Sequence, residues 1–130
     1  MATNTHYQTD RQRVEGLGTA HEGVGHWWGQ RVTAIALVPL TAFFIFPLAR
    51  NLGSDWEAVR YSYSKPLNAI VAALFFIVVF RHLQYGLQVV IEDYVHDKAL
   101  KTALLLANVL FCWALALTGG FAVARIAFSA

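Results

Sequence analysis

The sequence predicts an all-α membrane protein with three transmembrane helices, and three observations carry that prediction. Of its 130 residues, 57% are apolar and 14% charged, with a mean hydropathy of +0.46, too oily for a soluble domain this small. Charges are missing from Val32–Ala49, from Pro66–Phe80 and from Thr102–Ala124. A hydrocarbon core takes spans of about 20 apolar residues, and three such spans exhaust the chain. A formal net charge of +2 gives no reason to expect nucleic acid. No soluble core is left for an independent catalytic domain.

Residues 1–30 form a polar, glycine-rich tail with an interfacial end. Arg11 and Arg13 are followed by no apolar run, so no cleaved signal peptide is expected. The tail closes on HEGVGHWWGQR. Trp27 and Trp28 suit the headgroup level and Arg31 marks the boundary. Arg31 either anchors topology or reaches an anionic group at the membrane surface. His21 and His26 read as solvated or headgroup-level histidines, since nothing pairs them at metal-ligand spacing.

Residues 31–130 form the membrane domain, with helices expected at about 32–52, 66–94 and 102–124. The first contains Pro39 and Pro47, which bend a helix but are tolerated where neighbours cover the freed carbonyls. The linker Arg50–Lys65, with Trp56, Tyr61 and Tyr63, belongs at the opposite interface, where Asp55–Tyr63 could form a turn or two along the surface.

The second helix carries RHLQYGLQVVIEDY, Arg81–Tyr94, around which the rest is organised. At about 100° and 1.5 Å per residue, His82 and Asp93 lie roughly 16 Å apart along the axis and within about 20° of one line. Gly86 and Val89 share that line, and Gly86 has no side chain to block a flat cofactor. Arg81, Gln84, Tyr85 and Gln88 flank the stripe. Ionisable groups in a bilayer are costly and face a bundle interior, so this flank reads as interior. Leu83, Leu87, Val90 and Ile91 should meet lipid or an apolar helix. Tyr94 ends the helix about 120° off the stripe. On the third helix, Asn108, Cys112, Ala116, Gly120 and Ala124 recur every four residues, a seam for close packing. Cys112 is the chain's one cysteine, excluding an intrachain disulfide.

With three spans, the tail and the His96–Lys101 loop share one side, holding Arg11, Arg13, Arg31, Lys98 and Lys101. Arg50, Arg60, Lys65 and Arg125 occupy the other, and the excess puts the N-terminus in the cytoplasm.

A lone histidine within a span is a hydrogen-bonded structural group, a proton relay or an axial haem ligand. His6, His21, His26 and His96 all fall outside the apolar spans. A bis-histidine haem would therefore take its second ligand from another subunit, making this chain half of a site.

The pattern His82-x3-Gly86-x6-Asp93-Tyr94 resembles the hydrophobic membrane anchor subunits of succinate dehydrogenase, complex II. The stretch HWWGQRVTAIALVPL is similar to the entry into helix one in the α-proteobacterial branch of that family. The resemblance implies a three-helix part of a hetero-oligomeric haem-binding bundle, not catalytic alone, in the bacterial inner membrane. It implies His82 as an axial ligand of haem b shared with a cytochrome b subunit, beside Gly86. Tyr94 would hydrogen-bond a ubiquinone carbonyl, and Asp93 would pair with a partner's arginine at the quinone pocket. Arg31 would stand near the quinone and haem propionates; Arg81, with no assigned family role, would pair with a propionate or a neighbouring helix. Flavoprotein and iron–sulfur subunits would complete a succinate:quinone oxidoreductase of the tricarboxylic acid cycle and respiratory chain. Two alternatives stay open: an anchor of another b-type oxidoreductase such as a fumarate reductase, and a haem-free anchor or small transporter.

Overall fold

The structure, a computed structural model, describes residues 9–15 and 23–129. The helices are α1 (Asp10–Glu15), α2 (Val24–Arg50), α3 (Trp56–Ser64), α4 (Pro66–Tyr94) and α5 (Lys98–Phe128). The described residues form helices joined by short non-helical links, without strands. Three helices, α2, α4 and α5, are long and apolar enough to cross a membrane.

Helix α4 occupies the expected 66–94, because its ends are written in local chemistry. Lys65 is extended and Pro66 sits at N1, where its missing N–H costs nothing and its fixed φ suits a helix. The other two spans outrun their apolar stretches. Helix α2 starts at Val24 rather than 32, after Gly23 with φ +98°, so Trp27, Trp28 and Arg31 ride on it. A polar residue ends an apolar stretch without ending a helix. Helix α5 likewise runs four residues past each expected end, and Asp97 caps it by accepting from the Leu100 N–H at 2.7 Å.

The three long helices form a row with α4 in the middle. It packs against α2 on one side and α5 on the other, while α2 and α5 make no close approach to each other. Both pairings are antiparallel: Thr33 meets His82 and Phe44 meets Phe75, while Asn108 meets Gln84 and Gly119 meets Phe76. Not one residue of α2 is buried within the chain.

The apolar core lies at the end where α4 begins. Tyr63, Ala69, Ala72 and Val123 are buried, with Phe44, Val59, Ala73, Phe76 and Ile126 against them. Helix α3 does more than lie on a surface: Asp55 caps it through the Ala58 N–H at 2.9 Å, and Tyr63 turns inward. The Tyr63 hydroxyl donates to the Phe44 carbonyl at 2.7 Å, and burial pushes its pKa up, keeping that donor protonated. Arg60 ties α3 to the Ser129 carbonyl at the end of α5.

The seam expected on α5 drifts. Asn108, Cys112 and Ala116 are buried as the four-residue spacing requires, but the line continues through Gly119 and Val123. Four residues advance about 400°, so a strict four-residue repeat slips about 40° per step and a three-residue step must restore it. A Cβ on Gly119 would lie 2.6 Å from Phe76 Cγ; on Gly120 it would meet nothing within 4 Å.

Candidate functional site

Toward the end where α4 terminates, the spaces between helices turn polar. His82 is half-buried and faces α2, with its Nδ1 3.0 Å from the Thr33 hydroxyl. Its Nε2 lies 3.5 Å from the Gln30 amide nitrogen, at the far limit of hydrogen bonding. Gly86, one turn on, presents its bare Cα to the same Gln30 amide; a Cβ there would stand 3.7 Å from it. Histidine and glycine of the expected stripe are thus side by side against α2. Val89 and Asp93, further along, are exposed.

The flank of the stripe divides between two neighbours. Arg81 donates to Gln84 Oε1 at 2.7 Å and to the Tyr85 hydroxyl at 2.8 Å, with its guanidinium over the Tyr85 ring and 6.0 Å from the Trp113 centroid. Gln84 is buried against α5, where its backbone carbonyl accepts from Asn108 at 2.9 Å. Tyr85 turns to α2: the His26 ring meets it edge-on at 4.9 Å, and a Cβ on Gly29 would come within 2.9 Å of its phenol carbon. Arg81 is therefore hydrogen-bonded within its own helix, and the Trp113 ring is what α5 brings near it. Leu83, Leu87 and Val90 are exposed and Ile91 is half-buried.

His26 corrects a reading of the sequence. It is half-buried on the α4-facing side of α2, and its Nε2 is buried with no hydrogen-bond partner among the described residues. The physical reason is the early start of α2, which carries the residue into the interhelical seam. Gln30 Oε1 is similarly buried and unpartnered. His21 lies outside the described residues. His26, Gln30 and Thr33 repeat at i, i+4 and i+7, a one-face signal that was present in the sequence once helix α2 was extended across it.

The remaining candidates stand apart. Arg31 is exposed, with its guanidinium 5.4 Å from the Trp27 ring centroid, so it does not join the His82 cluster. Asp93 is exposed and Tyr94 is 78% exposed, and no side-chain hydrogen bond or ion pair joins either to another described residue. The Tyr94 carbonyl lies 3.1 Å from His96 Nδ1, and Lys101 donates to the Glu92 carbonyl, closing the turn into α5. No group of three His, Cys, Asp or Glu able to hold a metal ion occurs among the described residues.

This arrangement can orient one imidazole beside a bare glycine within the span, and offer a phenol and a carboxylate at the same helix's end. Residues 5–121 match the family described as succinate dehydrogenase/fumarate reductase transmembrane subunit. The chain is 37% identical over 124 residues to the succinate dehydrogenase hydrophobic membrane anchor subunit of Paracoccus denitrificans, covering 95% of each. It is 31% identical over 105 residues to the protein of that name in Rickettsia bellii, covering 81% of this chain and 84% of that one. To the succinate dehydrogenase membrane anchor subunit of Reclinomonas americana it is 30% identical over 79 residues, 58% of this chain and 66% of the other. No solved structure matches.

Proposed function

From the premise that the chain belongs to the succinate dehydrogenase/fumarate reductase transmembrane subunit family, as an anchor of α-proteobacterial type, we propose that it holds half of a haem b site at His82 and part of a ubiquinone site at Asp93–Tyr94. Multi-pass membrane anchoring and association with the other subunits of complex II follow from the family itself.

The observation that carries the haem reading is the state of His82. Its imidazole is held from the Nδ1 side, while the hydrogen-bonding partner of Nε2 among the described residues is the Gln30 amide nitrogen at 3.5 Å, which can only donate. Imidazole nitrogen is a usual haem ligand, and Gly86 beside it keeps a flat group's approach clear of a Cβ. The donor set thus fits one axial ligand, with the second from a cytochrome b subunit. Bound there, haem b would supply a one-electron redox centre within the membrane.

The quinone reading rests on exposure and position. Tyr94 lies about 18 Å along α4 from His82, with its phenol free to donate to a quinone carbonyl and stabilise charge that grows there on reduction. Protons come from water at this edge. Asp93, without a side-chain partner among the described residues, is available to a partner subunit's arginine, which would offset the cost of covering a carboxylate. Arg31, also exposed, can reach an anionic group at the membrane surface. This end of α4 would face the iron–sulfur and flavoprotein subunits on the cytoplasmic side of the inner membrane.

The test is a reduced-minus-oxidised visible spectrum, with electron paramagnetic resonance, of the purified complex carrying His82→Ala. Loss of the six-coordinate low-spin signal is expected, with or without loss of haem. An unchanged low-spin signal would rule out His82 as a ligand.

A further inference from the structure

Thr33 touches three groups with one oxygen. Its hydroxyl lies 2.8 Å from the Gly29 carbonyl, 3.1 Å from the Gln30 carbonyl and 3.0 Å from His82 Nδ1. A hydroxyl has one hydrogen and two lone pairs, and a carbonyl can only accept. The shortest contact takes the hydrogen to Gly29, leaving a lone pair toward the imidazole. Nδ1 then carries the ring proton and donates it, and Nε2 keeps its lone pair.

We propose that Thr33 is a positioning residue for His82: by accepting from Nδ1–H it fixes the tautomer that leaves Nε2 as the coordinating nitrogen, and sets the plane of the ring. The proposal rests on His82 being the haem ligand. Histidines bound to metals almost always donate their other ring N–H to an acceptor, which orients the ring and raises its basicity. Here the acceptor is held by its own helix. Threonine is stiff at χ1, and back-bonding to the carbonyl four residues earlier is a conformation it adopts within a helix. Helix α2 therefore presents a fixed lone pair to α4. The Gln30 amide nitrogen, 3.5 Å from Nε2, can only donate, which agrees with a lone pair on Nε2, and this long contact would yield to a ligand there.

The test uses the assembled complex with Thr33→Val, which keeps the shape and removes the acceptor, with Thr33→Ser, which keeps the acceptor, and with Thr33→Ala should valine impair assembly. Three quantities are read: the largest g-value of the oxidised haem, its midpoint potential, and its retention on incubation with a haem-binding competitor. Losing the acceptor makes the imidazole a poorer donor, so Thr33→Val or Thr33→Ala should shift the g-value and raise the potential. Retention should fall about 10-fold or more, the scale for removing a partner of a metal-bound histidine. Thr33→Ser should restore all three.

Unchanged g-value and potential in Thr33→Val would overturn the proposal, as would a change that Thr33→Ser fails to restore, which would mark a packing effect. If His82→Ala has abolished the low-spin signal, such a result removes Thr33 and leaves the ligand in place. If His82→Ala keeps the signal, the ligand reading fails and this inference with it.

Discussion

The two ends of α4 are built on opposite principles. Where the helix begins, the chain completes itself. Phe44 stacks on Phe75 with centroids 4.4 Å apart, Phe76 lies edge-on to both, and Gly119 gives Phe76 room against α5. Polar groups there, the Tyr63 hydroxyl and the Asn68 amide, donate to backbone carbonyls of the chain itself. Where α4 ends, the helices meet through imidazoles, amides, a guanidinium and a phenol, and His26 Nε2 and Gln30 Oε1 are buried without partners among the described residues. Buried polar groups left unpaired cost free energy, more so in hydrocarbon, where water cannot replace the missing partner. The contrast separates an apolar end whose groups are paired within the chain from a polar end where His26 Nε2 and Gln30 Oε1 stay unpaired among the described residues.

The largest effect should come from the open end. On the proposed quinone site, Tyr94→Phe would remove a donor to developing charge, and about 10²-fold or more of quinone reduction should be lost. Succinate oxidation assayed with an artificial acceptor that bypasses the membrane should survive in the same preparation. Wild-type quinone reduction in Tyr94→Phe would move the quinone site off this helix end.

The closed end should respond through stability instead. Gly119→Ala drives a methyl into Phe76 at its Cγ, near the root of the side chain, where yielding requires the helices to part. Overpacking of this kind costs about 1–3 kcal/mol, read as a lowered midpoint for thermal dissociation of the purified complex. Gly120→Ala, with nothing within 4 Å of its new methyl, is the control and should leave the midpoint where it was. Equal effects of the two would mean that the α4–α5 seam runs elsewhere.

The smallest effect should be Tyr63→Phe, which deletes the hydroxyl and keeps the ring. Losing one hydrogen bond to the Phe44 carbonyl should cost about 0.5–1.5 kcal/mol in the same measurement. Quinone reduction should be unaffected, since Tyr63 lies at the far end of α4 from Tyr94. A loss of quinone reduction in Tyr63→Phe would erase the division between the two ends.

Depth in the membrane was legible in the residues. Charge-free stretches located three spans, the second opening at Pro66, and counting along RHLQYGLQVVIEDY put His82 inside the span with Asp93 and Tyr94 at its end. Hydropathy and helical rise are properties of a single helix, so the sequence by itself determines them. Facing is not such a property. That His82 turns to Thr33, that Gly119 rather than Gly120 admits a neighbour's ring, and that His26 enters a seam instead of lying open to solvent all depend on how two helices cross. Polar residues around Arg31 end a hydrophobic stretch without ending the helix, so the residues opposite Tyr85 and Gly86 looked like tail until α2 was seen to run through them. Tertiary structure alone decided those pairings, because the contacts that select a crossing lie about 50 residues apart in the chain, as in Thr33 and His82.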